Sequence, residues 1–75
     1  MGGNVGIGTN NPNLATLDVR GNSGITPVAS ISGSTSFAAG VIDQSGIGDI
    51  FTASRSGATR FVIANNGDIT VHTVG

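Results

Sequence analysis

Three short stretches carry the residue types that chemistry requires. Gly6-Ile7-Gly8 has the spacing that opens a dinucleotide-binding loop, where bare backbone lets a phosphate approach N–H groups. Such a loop needs another Gly three positions on and a helix behind it. Asn11 stands there instead, so the two glycines read as tight backbone packing. Gly46-Ile47-Gly48-Asp49-Ile50 contains a fragment of the calcium-binding nonapeptide pattern, which works only as stacked copies, and a single copy is present. Ser54, Asp68 and His72 supply the types of a nucleophile, an orienting acid and a base, without a nucleophile elbow or an oxyanion nest. Asp18, Asp43 and Asp68 follow no cation-loop spacing and read as acceptors for backbone N–H groups in turns. Arg55 and Arg60 flank Ser56-Gly57 and are expected to be solvated or paired with Asp49 across a hairpin. Arg20 is expected to pair with Asp18 between chains. No catalytic, cofactor-binding or metal-binding residue is assigned, and no cofactor is expected.

The elements around these stretches are strands. The chain has no Lys and no Glu, and only 9% of its residues are charged. With Leu and Met scarce as well, most good helix formers are missing, while Val, Ile, Thr and Phe favour strands. A formal net charge of −1 gives no footprint for nucleic acid or an anionic membrane surface. No apolar run is long enough to span a membrane as a helix, and no signal peptide is recognisable. Met1-Gly2 reads as a start joined to a segment of a longer chain. Trp and Tyr are absent, which speaks against a dedicated glycan or antigen surface.

Size sharpens the expectation. A chain of 75 residues buries only about 60% of its unfolded surface. Small domains usually add a disulfide, a metal or partner chains. Cysteine is absent and His72 is the single histidine, so partner chains remain.

Turn chemistry divides the chain into short strands, expected to pair antiparallel. Asn4–Gly8 is followed by the loop Thr9–Asn13. Ala15–Arg20 alternates, with Leu17 and Val19 on one face. Pro27–Ile31 reads as a weak strand and Phe37–Gln44 as a firmer one, kinked at Gly40. Asp49–Ser54, Ala58–Ala64 and Asp68–Val74 read as a three-stranded antiparallel meander. Asn65-Asn66-Gly67 supplies the second turn through the tolerance of Asn-Gly for positive φ. One face would carry Phe51, Ala53, Phe61, Ile63, Ile69 and Val71. Ile50 and Val62 on the other face would need cover from another chain or sheet. The expected organisation is a VGIGT-type segment over 1–24, an irregular β segment over 25–47 and the meander over 48–75.

The phrase Gly-[Asn/Asp]-[Val/Ile] occurs at Gly3-Asn4-Val5, Gly48-Asp49-Ile50 and Gly67-Asp68-Ile69, as though the chain were one period of an array. Val5-Gly6-Ile7-Gly8-Thr9, Pro12, Leu17-Asp18-Val19 and Gly21 resemble the VGIGT…P…LDV-G motif of stalk repeats in phage tail fibres and large bacterial surface and adhesin proteins. Such repeats are often found upstream of an intramolecular chaperone domain. The stretch from Gly48 to Ile69 is similar to a recurrent segment of the same proteins. The resemblance implies a non-enzymatic, extracellular stalk unit on a virion tail fibre or bacterial surface. Its chains would intertwine as a homotrimeric β-prism that spaces a distal receptor-binding or chaperone module. The expected partners are the chain itself and adjacent repeats. A host glycan or protein receptor would be met only through other domains. Val5, Ile7, Leu17, Val19, Phe51, Phe61, Ile63, Ile69 and Val71 are the candidate oligomer interface. The alternative is a small β-sandwich adhesin that binds glycan or protein through the loops Asn10–Asn13 and Asn22–Thr26.

Overall fold

The computed structural model describes residues 3–72. The fold is all-β, with no helix among the described residues. The chain divides between Ala39 and Gly40 into two compact units.

The first unit holds β1 (Val5–Ile7) and β2 (Leu17–Val19). They pair in register, Val5 with Leu17, Gly6 with Asp18 and Ile7 with Val19. The pairing is parallel, not the antiparallel arrangement expected from short strands. Parallel pairs normally need a crossover of about a dozen residues or more, usually a helix. Here the loop from Gly8 to Thr16 makes the return without one. Val5 N–H donates to the Thr16 carbonyl at 2.7 Å, and Arg20 N–H donates to the Ile7 carbonyl at 2.8 Å, extending the ladder at both ends. Gly8 starts the loop at φ +79°, and a Cβ there would fall 1.8 Å from the Arg20 carbonyl oxygen. Both the dihedral and the space exclude a side chain.

The second unit contains β3 (Phe51–Arg55), β4 (Ala58–Ile63) and β5 (Ile69–Val71), an antiparallel sheet in the order β3-β4-β5. The expected meander is therefore present. Its last expected residues, from Thr73 to Val74, lie outside the described residues. The two turns exchange the chemistry assigned to them. Ser56 and Gly57 both adopt positive φ, 50° and 83°, which makes the β3–β4 connection a two-residue type I′ turn. Asn66 does not have positive φ. Gly67 does, at 93°, and its N–H donates to the Ala64 carbonyl at 2.9 Å. That is a type I turn closed by a left-handed glycine, the three-residue hairpin solution. The register also shifts between Ala53 and Ser54, a bulge just before the tighter turn.

The strands expected over Pro27–Ile31 and Phe37–Gln44 do not form. From residue 21 to 49 the backbone forms neither strand nor helix, with three-residue bends at 24–26, 35–37 and 46–48. Their composition suits strands, but strand geometry persists only when a neighbour takes up the backbone donors and acceptors. Within the described residues no backbone-to-backbone hydrogen bond reaches this stretch.

Candidate interaction surface

The faces of the two sheets define the surface. In the parallel pair, alternation sends Val5, Ile7, Leu17 and Val19 to one side and Gly6 and Asp18 to the other. The loop after β1 covers the second side. A Cβ on Gly6 would meet the Thr9 carbonyl oxygen at 2.7 Å and Pro12 Cβ at 3.1 Å, so the loop rests directly on bare backbone. Val5, Ile7 and Leu17, on the uncovered side, are each more than half exposed, and Val19 is half-buried.

Asp18 organises the covered side. It is 5% exposed and is the only buried residue among those described. Arg20, two positions on and therefore on the same face, grips its carboxylate in bidentate fashion. Nε donates to Oδ1 at 3.0 Å and Nη2 donates to Oδ2 at 2.8 Å. The same Nη2 donates to Asn13 Oδ1 at 3.0 Å and to the Asn11 carbonyl at 3.3 Å. Leu14 N–H donates to Asp18 Oδ2 at 3.3 Å, and Asn4 Nδ2 donates to the Pro12 carbonyl at 2.9 Å. The Arg20 hydrogen bonds hold the Asp18 carboxyl below the usual carboxylate range, against the opposing effect of burial and with help from the Leu14 N–H. The pair raises Arg20 in turn. The expectation that these two residues pair between chains is corrected: the ion pair closes within one chain and pins the loop Asn10–Asn13. Arg55 and Arg60 form no ion pair with Asp49 among the described residues.

In the meander, register places Phe51, Ile63 and Ile69 in one row and Ala53, Phe61 and Val71 in the next, all on one face. Phe51 and Phe61 meet edge to face, with centroids 6.2 Å apart and rings inclined at 66°. Phe61 and Ile63 on central β4 are half-buried, while Phe51, Ile69 and Val71 on the outer strands are exposed. The opposite face carries Thr52, Val62 and Thr70. Ile50 and Val62 are half-buried within this unit, so the expectation that they lie bare on a single chain is corrected. Ile50 N–H donates to the Ile63 carbonyl at 2.8 Å, continuing the β3–β4 ladder.

Catalytic types are not brought together. β4 lies between Ser54 on β3 and the strand preceding His72, and Asp68 sits at the other end of that strand. Among the described residues no three of His, Asp, Cys or Glu form a group able to hold a metal ion. The hollow lined by Gly8, Arg20, Gly21 and Asn22 measures about 180 Å³. That is below the roughly 300–1,000 Å³ of ordinary small-molecule pockets.

One polar clamp has no signature in the sequence. Asn65 Nδ2 donates to the carbonyls of Gly46 and Gly48, at 2.8 and 2.9 Å, and so holds the bend at 46–48 against the β4–β5 turn. Gln44 Oε1 accepts from Gly46 N–H at 2.9 Å in the same bend. A carboxamide beside an Asn-Gly turn gives no hint in sequence that it reaches back to a glycine pair. No family model, curated protein or solved structure matches the chain.

Proposed function

We propose that the chain is a structural, non-enzymatic unit of an extracellular fibre or surface stalk, assembled as a homotrimer. Its work is mechanical: it holds a distal receptor-binding or chaperone module away from a phage particle or bacterial surface. One observation carries this reading. The chain forms ordered strands and a pinned loop, yet no hydrophobic side chain among the described residues is buried. The hydrophobic effect is the main favourable term in folding, and here its surfaces still face solvent.

The two apolar faces fit an assembly. Val5, Ile7 and Leu17 on one sheet, and Phe51, Ile69 and Val71 on the other, are exposed and aligned in rows. Covering a half-exposed Val, Ile or Phe contributes on the order of 1 kcal/mol each. The scarcity of charge fits as well, since a surface covered by copies of itself has little need of Lys or Glu. The resemblance of the Val5–Gly21 segment to stalk repeats supplies the number three and the setting.

Sedimentation equilibrium tests the reading. The expected mass is about three times the 7.3 kDa of one chain. A folded monomer at micromolar concentration refutes it.

A further inference from the structure

Ser23, Ser34, Ser45 and Ser56 recur at an eleven-residue spacing, followed by Gly24, Thr35, Gly46 and Gly57. The backbone repeats with them. Bends occupy 24–26, 35–37 and 46–48, and the β3–β4 turn falls at 56–57. Side chains fasten the bends in a related way. Ser23 Oγ accepts from Ile25 N–H and Thr35 Oγ1 accepts from Phe37 N–H, each at 3.3 Å. Apolar positions keep the same phase: Val28, Ala39, Ile50 and Phe61 share one, and Ile31, Ile42, Ala53 and Ala64 share another. Residues 22–32 and 33–43 are thus built on the same unit as those that carry β3 and β4.

The difference lies in pairing. β3 and β4 pair with each other, whereas no backbone-to-backbone hydrogen bond reaches residues 21–49 from the described chain. Phe37 is 86% exposed and Val41 79%. β3 also stands at the edge of its sheet, with one side open. In a continued meander, residues 38–43 of the same chain would fill that edge. Asn65 instead fastens the intervening bend to the β4–β5 turn, and 40–43 makes no bond to β3.

We infer that residues 27–32 and 38–43 become strands on assembly, pairing with second copies of this chain, and that 38–43 adds to the open edge of β3 in a neighbouring copy. This rests on the self-assembly proposed above and adds where the new sheet forms. The occupant is a copy because the partner that one such unit takes, in β3 and β4, is another unit of the same series. From Gly21 to Ile42 no charged side chain occurs, and Asp43 is the one charge in the two proposed strands, which leaves little electrostatic handle for a different partner. The exposed area agrees. The chain presents 6344 Å², against roughly 5,000 Å² for two separately compact halves of its mass. The excess is larger than the roughly 800 Å² that each partner buries in a standard interface.

Hydrogen exchange on the full chain, measured above and below the assembly concentration with sedimentation mass in parallel, tests the inference. Amides of 38–43 and 28–32 are expected to slow at least tenfold on assembly. Val41→Pro removes an N–H that no in-chain bond uses. It should leave β3–β5 protection intact, abolish the slowing at 38–43 and weaken assembly tenfold or more. Val41→Thr, still β-branched, should keep the slowing. An oligomer whose 28–32 and 38–43 amides exchange at the unassembled rate overturns the inference and leaves self-assembly standing. A Val41→Pro chain that assembles like the parent also overturns it. A monomer at every concentration overturns both.

Discussion

Replacing Gly8 with Ala isolates what the parallel strand pair demands of its loop. Two costs are expected. At φ +79° an L-residue is strained by about 1 kcal/mol. The added Cβ would also lie 1.8 Å from the Arg20 carbonyl oxygen, a backbone atom that can yield only if β2 moves. That movement breaks the bond from Arg20 N–H to the Ile7 carbonyl, worth about another 1 kcal/mol or somewhat more. The total of roughly 2–3 kcal/mol corresponds to a roughly 30- to 150-fold rise in local opening. Amide exchange at Arg20 and Val5, read by NMR at fixed chain concentration, measures it. Gly57→Ala is the comparison. Gly57 has nearly the same φ, 83°, but nothing lies within 4 Å of an added Cβ. Strain alone should accelerate exchange beside it only about fivefold, for about 1 kcal/mol. Equal effects at the two positions would refute the reasoning, because contact with Arg20 would then contribute nothing.

Asp18→Asn should loosen the Asn10–Asn13 loop and lower the unfolding midpoint at neutral pH, because Arg20 loses its bidentate partner. The folded carboxyl titrates below its unfolded value, so its stabilisation is complete above about pH 4 and is lost as pH falls through the folded value. Melting curves of parent and variant should therefore converge in acid. Asn65→Ala removes both clamp bonds to the 46–48 bend and should cost roughly 1 kcal/mol, since they are exposed. Exchange at Gly46 should rise while the β4–β5 amides stay protected. Ser56→Asn places the preferred residue at the first position of a type I′ turn and should stabilise by about 0.5–1 kcal/mol, seen as a higher melting midpoint.

The meander was legible because its signals agree. Runs rich in Phe, Ile, Val and Thr favour strands, and glycine-bearing turns separate them at hairpin distances. The choice of turn type was less legible. Asn66-Gly67 and Ser56-Gly57 are both short turn dipeptides, and which becomes type I′ depends on loop length and on the bulge at Ala53. The direction of β2 could not be read from Leu17–Val19, since three alternating residues suit either ladder. What makes the pair parallel is the loop path fixed by Gly8, Gly6 and Arg20, a contact between residues distant in sequence. Pro27–Ile31 and Phe37–Gln44 failed for a different reason. Their composition is strand-like, but pairing depends on a neighbour that local sequence does not specify. The serine spacing that marks the units was visible throughout, yet it points to turns rather than to any catalytic type. Asp18 was singled out as a turn acceptor, which it is towards Leu14. Its burial under Arg20 depends on how the loop folds back.

The short reach of the strand pairing has a kinetic consequence. Among the described residues, the strand partners in register that lie furthest apart in the chain are Val5 with Leu17 and Phe51 with Ile63. Low sequence separation makes loop closure cheap and folding fast, with hairpins forming in about 1–10 μs. Synthesis proceeds at only about 5–20 residues per second. Each hairpin of the meander therefore closes soon after its last strand emerges. Among the described residues no strand pair waits for a distant partner in the same molecule.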